Sequence, residues 1–192
     1  MVDEATDTTA APRLERFVPR FLDTWDDDAG GRAWQVRYGT LCFIDISGFT
    51  ALSERLARRG RVGSEELVGV LNRVFGSMLR EVYQRGGSLI KFGGDALFLM
   101  FDGDDHALHA ASAAVGMRRS LRESSRIPTS VGRLHLRMSI GLESGPIHMF
   151  RAGRIHHEML VVGPTATAVS LMESTADASE IVVGPTTRRL LP

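Results

Sequence analysis

At 192 residues, with 23 basic and 23 acidic side chains and 43% apolar residues, the chain suits one compact domain with its own hydrophobic core. Balanced charge gives no global field for nucleic acid or an anionic membrane, so any phosphate-bearing ligand has to be held by local geometry. No apolar run approaches the roughly 20 residues that cross a bilayer, and the acidic start has no signal-peptide core, which predicts a cytoplasmic domain without membrane insertion.

Residues 1–12 are small, polar and acidic and are expected to form a disordered lead. Residues 13–38 are expected to hold an N-terminal helix and a linker: Leu14, Phe17, Val18, Phe21, Leu22 and Trp25 recur at helical spacing until the run from Asp26 to Gly31 breaks them. Asp26, Asp27 and Asp28 read as a solvated loop, because nothing fixes their carboxylates around a common point. Gly39 to Ile46 predicts a buried strand interrupted by one carboxylate, Asp45, and Cys42 inside it reads as a small buried hydrophobe. Ser47-Gly48 turns the chain into a helix from Thr50 to Arg59. A long helix follows Gly63, with Ser64 as its expected N-cap and Gly86-Gly87 as its end.

Ser88 to Phe92 and Ala96 to Phe101 predict a hairpin turned by Gly93-Gly94-Asp95. His106 to Leu121 predicts an alanine-rich helix, and His106 and His109 read as part of its exposed start. Strands are expected at Leu134 to Leu142, Ile147 to Phe150, Met159 to Val162 and Ile181 to Val183, with a helix from Pro164 to Ser174. His156 and His157 fall in a polar loop and receive no role. The order indicates an α+β sheet with helices on one face.

Two carboxylates stand out, Asp45 at the end of a buried strand and Asp95 in the turn of an apolar hairpin. An ionised carboxylate near a core needs a strong partner, and a divalent cation suits two that converge. Spacing alone leaves a second reading equally open, in which Asp95 makes the turn and Asp45 caps the next helix. Ile46-Ser47-Gly48-Phe49-Thr50 then runs straight into a helix, offering free backbone N–H groups to a phosphate beside those carboxylates. Paired metals next to a phosphate cradle suit displacement at a nucleotide phosphorus.

The run Phe43-Ile44-Asp45-Ile46-Ser47-Gly48-Phe49-Thr50, followed by Leu89-Ile90-Lys91-Phe92-Gly93-Gly94-Asp95-Ala96, resembles the paired metal motifs of class III adenylyl and guanylyl cyclases, with the soluble adenylyl cyclase branch nearest. The resemblance extends from about Leu14 to Pro192 and includes Met138 to Gly145 and the segment around Gly163. It implies a ferredoxin-like class III cyclase core over 39–192, working as a head-to-tail dimer with sites at the interface. Asp45, Ile46 and Asp95 would hold two ions, Mg²⁺ or Mn²⁺, Ile46 to Thr50 would bind phosphate, and Lys91 would contact the base of the opposite site. ATP is the expected substrate ahead of GTP.

Departures from the family pattern qualify this. Aligned through Gly163, the positions of a base-contacting Thr or Asp, an Asn and an Arg are here Leu160, Thr167 and Leu171. Leucine neither hydrogen-bonds nor replaces a guanidinium beside transition-state phosphate. The chain is therefore expected to be the metal-donating first half of a tandem cyclase, needing a second cyclase domain, in tandem or in trans, for the Asn and Arg, with family-type closing strands expected beyond Pro192. Bicarbonate sensing is not carried over, since Ser170 and Leu171 stand where its arginine is expected. The alternatives are a catalytically silent nucleotide-binding or regulatory domain and, more remotely, a diguanylate cyclase or polymerase palm, which GGDAL at Gly93 to Leu97 in place of a GGDEF-like signature disfavours. Arg55, Arg58, Arg59 and Arg61 are read as a solvated basic face, with triphosphate steering as the alternative.

Overall fold

The structure, a computed structural model, describes residues 20–25, 33–124, 128–133, 135–153 and 158–192. Residues 1–32 and 33–192 form separate units. In the first, a 3-10 turn spans Arg20–Thr24, and the Trp25 N–H donates to the Leu22 carbonyl. The remainder of the expected helix from Leu14, the lead 1–12 and the acidic run from Asp26 lie outside the described residues.

The second unit runs β1 (Trp34–Ser47), α1 (Phe49–Ala57), α2 (Gly60–Tyr83), β2 (Ser88–Gly93), β3 (Ala96–Asp102), α3 (His106–Ser124), β4 (Pro128–Thr129), β5 (Gly132–Arg133), β6 (Arg137–Ala152), β7 (Glu158–Val162), α4 (Pro164–Thr175), β8 (Ile181–Val183) and α5 (Pro185–Leu190). The main sheet has the order β2-β3-β1-β6-β7, antiparallel throughout, and β8 joins β6 in parallel. With β1 at the centre between β3 and β6, and helices connecting the strands, this is the expected α+β, ferredoxin-like core.

Strand alternation divides the sheet into two faces. Cys42, Ile44 and Ile46 of β1, Leu97 and Leu99 of β3, and Met138, Ile140 and Leu142 of β6 are buried in one core with Leu56, Val74, Met78, Ala113 and Met117 of α1 to α3. Each fully buried large side chain there is worth about 1.5–3 kcal/mol, so this face supplies the stability. Cys42 is fully buried, and burial pushes its thiol far above the usual range, as its reading as an inert hydrophobe requires.

Sequence and structure part company at several points. β1 begins at Trp34 rather than Gly39, so residues 34–38, expected to be linker, are strand paired with Pro146 to Phe150. Their apolar residues, which are exposed, alternate with half-buried Gln35 and Arg37, a pattern that a search for continuous apolar runs misses. Ser64 lies inside α2, where its hydroxyl donates back to the Gly60 carbonyl, and Arg59 occupies the N-cap. β6 is one strand across the expected break, because Gly145 and Pro146 stay in register with Gly39 and Tyr38. Nor are all helices on one face. A Cβ on Gly141 would meet the Val169 carbonyl and the Glu173 N–H, so α4 lies directly on the face opposite α1 to α3. The small β4–β5 hairpin and α5 were not anticipated.

Candidate active site

Because the even-numbered end of β1 is buried under the helices, Phe43, Asp45 and Ser47 point to the opposite face. Phe43 stacks edge-on against Phe98 of β3 at 5.8 Å. Ile44 pairs with Leu97, which sets the β2–β3 turn holding Asp95 beside the end of β1. Asp45 senses its neighbours: partial burial first, then the charges of Asp95 and Glu173, raise its pKa, while the Ile46 N–H donating to it pulls the other way.

Glu173 was not picked out from the sequence. It reaches the site from α4, where its Oε1 accepts the Ser139 hydroxyl at 2.6 Å, and Ser139 is the cross-strand partner of Asp45. Nothing in local spacing links a residue near the end of α4 to β1; only the close approach permitted by Gly141 does so.

Beyond Asp45 the chain turns at Gly48, whose φ of 90° and whose missing Cβ, which would lie 2.5 Å from the His135 carbonyl, both demand glycine. Gly48 is also the N-cap of α1 and brings no side-chain acceptor, so the first-turn N–H groups are left for a ligand. Phe49 anchors this turn against Phe75 of α2 at 6.3 Å.

Among the described residues no basic side chain is ion-paired with Asp45, Asp95 or Glu173. Repulsion left unrelieved by protein cations, with hard oxygens of Asp45, Asp95 and the Ile46 carbonyl at hand, fits a divalent ion. No three His, Cys, Asp or Glu side chains among the described residues are spaced to hold one ion, so further ligands have to come from the substrate or water.

The other end of this face holds a cavity of about 630 Å³, lined by Phe43, Lys91, Phe98, Leu160, Val162 and Thr167 among others. Lys91, the only lysine in the chain, is tied across its mouth, with Nζ 3.2 Å from Glu158 Oε1. Thr167 spends its hydroxyl on the Gly163 carbonyl at 3.3 Å, and Leu171 is 57% exposed. Among the described residues, no carboxamide or guanidinium lines this cavity.

Other candidates resolve into structural roles. His106 Nδ1 lies 2.7 Å from Thr40 Oγ1 and its ring meets Tyr38, so it is a fixed residue of the fold rather than a solvated helix start. Arg55 and Arg59 donate to the carbonyls of Val131 and Ser130, Glu66 accepts from Ser130, and Arg61 pairs with Glu65. Of the basic stretch, Arg55 and Arg59 therefore clamp the β4–β5 hairpin onto α1 and α2 instead of standing free. His156 and His157 lie outside the described residues.

A family model described as the adenylate and guanylate cyclase catalytic domain matches residues 35–192. The chain is similar to adenylate cyclase type 10 of Homo sapiens, 32% identical over 152 residues, covering 77% of this chain and 9% of that protein. It thus spans less than a tenth of the length of that relative. Among solved structures it resembles the guanylyl cyclase Cya2, with a TM-score of 0.70, 29% identity and coverage of 82% of this chain and 80% of that one. It also resembles the adenylyl cyclase CyaB from P. aeruginosa, with a TM-score of 0.68, 26% identity and coverage of 82% and 81%. Among the described residues no helix is long and apolar enough to cross a membrane. With its ferredoxin-like sheet, its paired carboxylates and this family match, the chain belongs to the adenylate and guanylate cyclase catalytic-domain family.

Proposed function

We propose that the chain is the metal-donating half of a nucleotidyl cyclase site, which forms cyclic AMP from ATP, in preference to GTP, when a second cyclase domain in tandem or in trans supplies an Asn and an Arg. The observation that carries this reading is an asymmetry. Asp45 and Asp95 crowd each other beside an uncapped helix start, while Leu160, Thr167 and Leu171 leave the other end of the same face without the groups a transition-state phosphate needs. Asp45, Asp95 and the Ile46 carbonyl would hold divalent ions, Mg²⁺ or Mn²⁺, which supply phosphate charge neutralisation and a more acidic 3′-hydroxyl. Ser47 to Thr50 orient the phosphates through backbone N–H groups, and Phe49 keeps that turn fixed. Lys91 belongs to the opposite site, as the resemblance implies.

The test is cyclic AMP and cyclic GMP formation with Mn²⁺ by the chain mixed with a cyclase domain that carries the Asn and Arg but has its own metal aspartates replaced. Turnover in the mixture that disappears on Asp45→Ala supports the reading. A mixture as inert as either part overturns it. The Lys91–Glu158 ion pair across the cavity favours a second reading, a silent nucleotide-binding domain, for which ATP uptake without turnover in every mixture is the signature.

A further inference from the structure

We infer that the β4–β5 hairpin is a strap that positions the phosphate turn, with Arg55 and Glu66 as the positioning residues that fasten it to the two helices behind that turn. The inference rests on the functional reading above and adds to it what keeps the Ser47 to Thr50 turn in place.

The helix that carries the turn has little of its own to hold it. Of the nine residues of α1 only Leu52 and Leu56 are buried, and a helix this short takes its order from packing rather than from propensity. Its first turn has no side-chain cap, so the N–H groups assigned to phosphate stay aimed only if the helix as a whole stays put. The chain leading into β6 secures it at both ends. At the start of α1 the His135 carbonyl comes so close to Gly48 that a Cβ there would meet it at 2.5 Å. In its last turn Arg55 donates to the Val131 carbonyl, and the Val131 side chain packs against the core, so the group that Arg55 grips is itself anchored.

The junction of α1 and α2 is fastened to the same tip. Arg59 donates to the Ser130 carbonyl at 2.6 Å, and from α2 Glu66 accepts the Ser130 N–H at 2.7 Å together with the Ser130 hydroxyl. Those two bonds hold the Glu66 carboxyl below the usual carboxylate range, so the clasp is made with the anion. Ser130 and Val131 thus take four hydrogen bonds from three side chains of α1, α2 and the junction between them. Arg55 and Arg59 are exposed, and charged groups at a surface add little to global stability. What they grip, however, is backbone on both sides of one peptide unit, which stops the hairpin sliding along the helix pair. Their value lies in position, and the element they position starts with the phosphate turn.

The experiment pairs calorimetric binding of ATP, and separately of inorganic tripolyphosphate, in Mn²⁺ with amide hydrogen exchange across the chain. Arg55→Ala and Glu66→Ala are each expected to weaken both ligands about three- to tenfold, the cost of ordering a loosened turn on binding. Exchange at residues 49–52 should quicken in the same variants while that of β1 and β3 keeps the parent rate. Arg55→Lys, which retains a donor for the Val131 carbonyl, should recover part of the loss, and Arg61→Ala, which removes equal charge from α2, should match the parent. Parent-like binding in both clasp variants while Asp45→Ala abolishes binding overturns the inference and leaves the nucleotide site standing. Equal losses in Arg55→Ala and Arg61→Ala overturn it as a general charge effect, and quickened exchange throughout the sheet overturns it as a loss of fold. A parent chain that takes up no ATP with Mn²⁺ removes the functional reading, and exchange at residues 49–52 then decides the strap by itself.

Discussion

The two ends of one sheet face carry opposite chemistry. At the β1 end, carboxylates gather with no ion-paired base among the described residues, beside a helix start that has no side-chain cap; at the β7 end, an apolar cavity is crossed by one Lys–Glu pair. On the proposed function, a charged ligand completes the end that looks unstable by itself. The comfortable end offers little to a nucleotide. The covered face, packed by α1 to α3, makes this tolerable by supplying stability that the site does not.

The largest effect should come from converting the poor end. Thr167→Asn with Leu171→Arg is expected to raise cyclic nucleotide formation by the chain alone by about 10²- to 10³-fold, the amount that one preorganised charge-stabilising group is typically worth. Both positions are at the surface or the cavity wall, so the fold should accept them. A double variant as silent as its parent, measured with Mn²⁺ and ATP, would break the comparison.

Next in size is loss at the acidic end. Asp45→Ala and Asp95→Ala should each abolish metal-dependent ATP binding by calorimetry, because one carboxylate leaves the ion too few hard ligands. Binding that survives in both variants contradicts the metal assignment.

Smaller still is the stability contrast between faces. Ile44→Ala, fully buried, should cost about 2–5 kcal/mol in denaturant unfolding. Phe43→Ala, one residue along and only partly buried, should cost clearly less. Equal costs would mean that both faces hold up the fold.

The smallest expected effect has the most telling sign. Partial burial and the charges of Asp95 and Glu173 raise the Asp45 pKa above the ordinary aspartate value, so the stability it contributes is present below that ordinary value and lost as pH rises through the folded-state value. At neutral pH and without metal, Asp45→Asn should therefore melt slightly above the parent, and the difference should vanish in acid. Mn²⁺ with ATP should reverse the order by stabilising only the parent.

Much of this was legible in the sequence where a single residue contradicts its surroundings. Asp45 in an apolar strand and Asp95 in a glycine turn announced themselves locally, and helices with one apolar face were found within a few residues. What stayed hidden depended on register or on approach between distant segments. Trp34 to Tyr38 alternate rather than run apolar, so β1 looked shorter than it is. The Glu173 charge reaches Asp45 because Gly141 lets α4 touch β6, an approach that no local pattern encodes. His106 looked solvated because its partner Thr40 lies on another element.

Whether this chain donates the metal half of a shared site is decided by one complementation assay with Mn²⁺ and ATP. Near-background cyclic AMP is expected from the chain alone at any concentration, and robust turnover on adding a domain with Asn and Arg but no metal aspartates. Robust turnover by the unmodified chain alone, lost in Asp45→Ala, would contradict it and show that a residue such as Thr167 already does what the partner was invoked to do.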